Sequence, residues 1–120
     1  MNDTLSKGET LFADGRIEEA EECFLSLVEN GSECKEAYNN LGVIAFQNDD
    51  TEKAIDYFNR SLEIDPFNRD TIINYTNLLR SLDQLPIVIP LLEIVTELNP
   101  EDIEIKQLLD DIRNLHPSNI

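Results

Sequence analysis

The sequence predicts an all-α solenoid: three helical hairpins in a row, closed by one capping helix. Three observations predict it. Gly8, Ala20 and Phe24 recur 34 residues later as Gly42, Ala54 and Phe58, and Pro66 recurs at the same interval as Pro100. Apolar residues run at helical spacing between the turns. Turn signals fall at regular places: Asp14-Gly15, Asn30-Gly31-Ser32, Asn48-Asp49-Asp50, Asp65-Pro66, Leu82-Asp83-Gln84 and Asn99-Pro100. Self-similarity at such a period marks stacked units that bury a continuous core only together.

The first helix is expected over about Asp3 to Ala13, with Leu5, Gly8, Leu11 and Phe12 at helical spacing. The second, about Ile17 to Glu29, carries Ala20, Phe24, Leu27 and Val28 on one face. Glu18, Glu19, Glu21 and Glu22 crowd its first turns, where negative charge suits the helix dipole. Asn30 or Gly31 supplies a left-handed cap. The second hairpin begins near Lys35, with Tyr38, Leu41, Gly42 and Ala45 as its inner stripe. Thr51 is the expected N-cap of the partner helix, which presents Ala54, Phe58 and Leu62. Asp65-Pro66 stops that helix, because a residue before proline avoids helical geometry.

In the third hairpin, from about Arg69, Ile72, Tyr75 and Leu79 take the inner places, and Val88, Leu92 and Val95 face them. Thr76 and Val88 replace the small residues, which predicts a wider crossing. Pro86 and Pro90 fall inside the expected helix, so it should start late, near Ile87, or kink at its beginning. Ile103, Ile105, Leu108, Leu109 and Ile112 then repeat over about Glu101 to Leu115 with no helix to follow. That segment reads as a cap over the apolar edge of the third hairpin. The expected organisation is one domain, residues 1–115, with repeats at about 1–34, 35–68 and 69–100, a capping helix at about 101–115 and a frayed tail at 116–120.

Nine Lys and Arg stand against 25 Asp and Glu, a formal charge of −16. Nucleic acid is a poor partner for such a chain, since a phosphate backbone needs a basic surface, and an anionic membrane is disfavoured for the same reason. A basic partner is the electrostatic default. The same acidity also serves simple solubility, and both readings stand. Met1-Asn2-Asp3-Thr4 carries neither a basic region nor an apolar run, so no signal peptide is read and a cytoplasmic protein is expected, while the start at Met1 and the stop after Ile120 favour a complete small protein. No stretch is long enough to span a bilayer. Cys23 and Cys34 form no metal-ligand spacing and are read as small buried apolar residues.

Tyr38-x-x-Leu41-Gly42-x-x-Ala45, followed by Ala54, Phe58 and Pro66, resembles the tetratricopeptide repeat signature. The first unit resembles it through Gly8, Leu11, Ala20 and Phe24, and the third mainly through Tyr75, Leu79 and Pro100. The resemblance covers about residues 2–100 and implies a right-handed α-α superhelix that binds other proteins without catalysing a reaction. Glycine and alanine at the crossing let two antiparallel helices approach closely, and Phe24 and Phe58 are expected to fill the space beneath the next unit. Ala54→Leu should overpack the crossing, costing roughly 1–3 kcal/mol.

In this family the first helix of each unit lines a concave groove. The resemblance therefore places a binding face on Leu5, Glu9 and Phe12, then Asn39, Asn40, Val43, Phe46 and Gln47, then Asp70, Ile73, Asn74, Asn77 and Arg80. Asparagine both donates and accepts, so it can pair with a peptide main chain whatever the peptide's sequence. Asn40 and Asn74 hold the same place in successive units and suit a short ladder along an extended peptide. Asparagine also simply suits this position, and the two readings remain open. Some family members hold acidic chaperone tails in a clamp of Lys, Asn and Arg. At the matching places this chain has Leu5, Glu9, Asn40, Asp70 and Asn74, and only Asn40 agrees. Glu9 and Asp70 would repel a terminal carboxylate, so no such clamp is expected.

Nothing in the sequence suggests an enzyme, a cofactor or a metal. The single histidine, His116, has no positioned partner, and no phosphate loop or nucleophile elbow occurs. Asp49-Asp50 and Asp110-Asp111 lack the spacing of a calcium loop. The leading expectation is a protein-interaction scaffold that binds a peptide or partner segment in its groove. Two alternatives are kept: a homo-oligomer whose copies bury one another's groove, and a regulatory module or subunit of a separate enzyme such as a transferase.

Overall fold

A computed structural model describes residues 3–115; the expected tail, with His116, lies outside the described residues. Among the described residues there are seven α-helices and no strand: α1 (Asp3–Ala13), α2 (Ile17–Glu29), α3 (Lys35–Gln47), α4 (Thr51–Ile64), α5 (Arg69–Ser81), α6 (Ile89–Leu98) and α7 (Ile103–Leu115). A 3₁₀ turn, Leu85–Val88, precedes α6. The chain divides into two compact units, residues 1–74 and 75–120.

In the first unit α1 packs on α2 and α3 on α4, and α2 also packs on α3. Each hairpin closes around a glycine and a phenyl ring. A Cβ on Gly8 would lie 2.7 Å from Phe24 Cε1, and one on Gly42 would lie 2.5 Å from Phe58 Cε1. Both rings are fully buried, as are Ala20 and Ala54. The rings therefore occupy the space vacated by the glycine of their own hairpin. Phe24 also joins a buried cluster with Cys34, Ala37, Leu41 and Ile44, which ties the first hairpin to the second.

Polar groups fasten the end of this unit. Ser61 Oγ donates to Lys35 O at 3.0 Å and lies 2.8 Å from Thr71 Oγ1, with Ser61 and Thr71 both fully buried. The Lys35 ammonium donates to Asp65 Oδ2 at 2.5 Å, and Asp65 Oδ1 accepts from the Phe67 amide at 3.0 Å in the turn around Pro66. Lys35 and the Phe67 amide hold the Asp65 carboxyl below its ordinary range.

In the second unit α6 packs on α7, and the 3₁₀ turn packs on both. The prolines explain the delayed start. Pro86 sits in the first positions of the 3₁₀ turn and Pro90 in those of α6, where no intrahelical amide bond is needed. The helix expected to begin near Ile87 begins at Ile89. Leu78, Leu79, Leu85, Val88, Leu92, Val95, Ile105, Leu109 and Ile112 are buried. Ile103, expected on the apolar face of α7, is 75% exposed, because it is the first residue of that helix and falls off the 105–109–112 stripe.

The period is carried by the backbone further than by the side chains. α3, α5 and α7 each have 13 residues and start at 35, 69 and 103. Three turns share one left-handed cap, with φ of 81° at Gly15, 60° at Asp49 and 56° at Asp83. Each has the same pair of hydrogen bonds: Arg16 N to Leu11 O and Gly15 N to Phe12 O in the first, Asp50 N to Ala45 O and Asp49 N to Phe46 O in the second, Gln84 N to Leu79 O and Asp83 N to Arg80 O in the third. This is the Schellman arrangement, which satisfies carbonyls that the helix end leaves free. Gly31, with φ of 78°, closes α2 in the same way. At helix starts, Asp50 rather than Thr51 is the N-cap of α4 and accepts from the Lys53 amide. Asn68 caps Thr71 N at 3.2 Å, and Asp102, one period later, caps Ile105 N at 3.2 Å.

The helix α7 thus stands where a fourth unit would have its first helix. The places held by Tyr38, Gly42 and Ala45 in α3 are held in α7 by Lys106, Asp110 and Arg113, all exposed. That face of α7 therefore carries charge where α3 carries Tyr38, Gly42 and Ala45.

Candidate functional site

Seven of the groove residues line one cavity of about 310 Å³ in the first unit. Phe12 comes from α1, Asn39, Asn40 and Val43 from α3, and Asp70, Ile73 and Asn74 from α5. Three first helices reach one cavity because each repeats the same face 34 residues further on. Asn74 Nδ2 donates to Asn39 Oδ1 at 3.0 Å, and Asn39 is only 8% exposed. Asn74 therefore reaches across to Asn39, and this pair braces α3 against α5. Asn40 and Val43 are half-buried beside it, Phe12 is half-buried, and Asp70 and Ile73 are exposed.

The remaining groove residues stand outside that lining. Leu5 is half-buried and Glu9 exposed on α1, and Phe46 is half-buried on α3. Asn77 and Arg80 belong to the second unit, where Arg80 Nη1 donates to Asn77 Oδ1 at 2.7 Å. Their amide and guanidinium satisfy each other along one helix face.

A second cavity, of about 590 Å³, lies between α6 and α7, with Pro90, Ile94 and Leu109 as its apolar part and Glu93, Glu97 and Arg113 at its edge. Arg113 Nη2 and Glu93 Oε2 pair across it at 2.5 Å. Thr96 Oγ1 lines it, buried and without a hydrogen-bond partner among the described residues. Nothing in the sequence pointed to this cavity, since its residues come from the irregular hairpin where the repeat pattern is weakest.

The ionisable groups that are perturbed are structural. Burial pushes the Cys34 thiol above its ordinary value, so a smaller fraction of it is thiolate at neutral pH than in a free cysteine. Burial likewise raises the Tyr57 and Tyr75 phenols, with Glu21 and Asp50 adding to the shift at Tyr57. Arg60 lies over the Tyr38 ring, 5.3 Å from its centroid, and Tyr38 packs against Tyr57 at 6.4 Å. Among the described residues no three His, Cys, Asp or Glu gather as a metal site, and no helix is long and apolar enough to cross a membrane.

Paired helices repeated at 34 residues, with first helices converging on one cavity, define a helical-repeat scaffold. The tetratricopeptide repeat model matches residues 5–69, more than half of the chain. The chain belongs to the tetratricopeptide repeat family. Solenoids of this kind are non-enzymatic scaffolds for protein–protein interaction. A comparison with curated proteins gave no match.

Proposed function

We propose that the chain holds an extended segment of a partner protein in the cavity on α1, α3 and α5. The observation that carries this reading is the convergence of Phe12, Val43 and Ile73 with three asparagine amides in one open cavity. Apolar side chains supply contact area there, and amides supply donors and acceptors for a main chain. The Asn39–Asn74 bond fixes two of those amides before any ligand arrives, which lowers the ordering cost of binding.

The test is a selection of peptides displayed on phage against the full chain, followed by heteronuclear NMR with a selected peptide. Amide signals of Asn40, Val43, Ile73 and Asn74 are expected to shift first. Shifts confined to α2 and α4, or to residues 75–115, would overturn the reading.

A second reading, self-association, is favoured by the apolar side chains exposed in the second unit: Ile87, Ile94, Leu98, Ile103 and Leu115. Sedimentation equilibrium over a wide concentration range separates the two. A mass that rises with concentration supports self-association, and a constant monomer mass removes it.

A further inference from the structure

The cavity on α1, α3 and α5 is lined by one ionisable side chain, Asp70, and by no basic one. Asp70 is exposed, and among the described residues it forms no ion pair. Beside it lie Val43 and Ile73, the latter 38% exposed, and the half-buried amide of Asn40. We propose that this cavity selects a segment carrying a lysine or arginine side chain. The proposal rests on the peptide-binding reading above and names the chemistry of the peptide.

The cavity and a basic side chain are complementary in shape and charge. A basic side chain has an aliphatic stem and a charged tip, and it needs an apolar wall ending in a carboxylate. Val43 and Ile73 provide the wall and Asp70 the carboxylate. Asn40 is then left to the main chain of the same segment. The surrounding field has the matching sign, because the chain carries a formal charge of −16. Such a field draws cationic segments in and repels acidic ones. An acidic side chain placed beside Asp70 would meet repulsion with no basic lining residue to offset it.

The test uses four mixed libraries of eight-residue peptides with a fixed central Lys, Arg, Glu or Leu. Binding of each to the full chain is read by fluorescence polarisation. The Lys and Arg libraries are expected to bind about fivefold more tightly than the Leu library, as an exposed ion pair allows, with the Glu library weakest. Asp70→Asn should equalise Lys and Leu, and Asp70→Lys should turn the preference toward Glu. Rising salt should erase the Lys preference and leave Leu binding in place.

Equal binding of the Lys and Leu libraries by the wild type, or a preference that survives Asp70→Asn, would overturn the cation proposal. The peptide reading would still stand if the double variant Asn40→Ala, Ile73→Ala weakened every library alike. Indifference of all four libraries to that double variant, or no binding by any of them, would overturn the peptide reading itself and the cation proposal with it. Asp70 and Ile73 are exposed and Asn40 is half-buried, so far-UV circular dichroism should show every variant folded, with Asp70→Lys melting somewhat lower because it puts a cation in the first turn of α5.

Discussion

The two units keep the same 34-residue rhythm by different means. In the first, side chains carry it: Gly8 with Phe24 and Gly42 with Phe58 make two nearly identical crossings. In the second, the corresponding places hold Thr76 and Leu92, both buried, and a 3₁₀ turn stands where the first unit has regular helix. What persists is the backbone punctuation. Asp83 turns left-handed where Gly15 and Asp49 do, and Asp102 caps where Asn68 does. The family match, which ends at residue 69, follows the side chains. The helix starts, which continue to 103, follow the caps. A repeat can therefore lose its consensus core and still hold its phase, because capping satisfies backbone groups whatever packs against the helix.

The largest effect that would break this comparison is cavity formation at the paired positions. Phe58→Ala is expected to cost about 3–5 kcal/mol and Leu92→Ala about 2–5 kcal/mol, read from urea midpoints. A Phe58 variant no less stable than wild type would remove the glycine–phenyl crossing as the basis of the first unit. Next comes overpacking. Gly42→Ala puts a methyl 2.5 Å from the Phe58 ring and is expected to cost about 1–3 kcal/mol. Thermal melts of that variant beside Ala54→Leu should show similar losses.

The ion pair at the end of the second hairpin has a defined pH window. Lys35, then the Phe67 amide, depress the Asp65 pKa below its ordinary value of 3.8. Its contribution is thus fully present above that value and is lost as pH falls through the lower folded value. The stability of Asp65→Asn should accordingly fall less steeply than that of wild type in acid, which urea titrations between neutral pH and strong acid would measure. The smallest effect sharpens the comparison most. Asp49→Gly and Asp83→Gly should each raise stability by about 0.5 kcal/mol. Relief of left-handed strain, roughly 1–2 kcal/mol, then exceeds the extra chain entropy of glycine, roughly 0.5–1 kcal/mol. Equal gains at both sites would show that one cap serves both units.

Helix order, the late start at the prolines and the recurring crossing residues were legible because each is a local or periodic signal. The equivalence of Asn40 and Asn74 was legible for the same reason: they stand one period apart. The bond from Asn74 to Asn39 was not, because an asparagine amide has several partners within reach and only the distance between α3 and α5 selects one. Nor were the roles of Asp49 and Asp83, since an aspartate in a turn fits several turn types and only the observed φ distinguishes them. Thr51 lost the capping place to Asp50 because a one-residue shift in helix start is finer than propensity resolves.

Local chain chemistry is enough to specify which segments become helices, their 34-residue phase and the face each turns to its neighbour. These follow from hydrophobic period and from residues with restricted backbone geometry, and both act within a few residues of chain. Packing between helices set Phe24 and Phe58 into the room left by their own glycines. It alone placed Ser61 between Lys35 and Thr71, and gathered Phe12, Val43, Ile73 and Asp70 around one cavity. Those outcomes depend on distances between groups far apart in the chain, which packing sets and no local preference encodes.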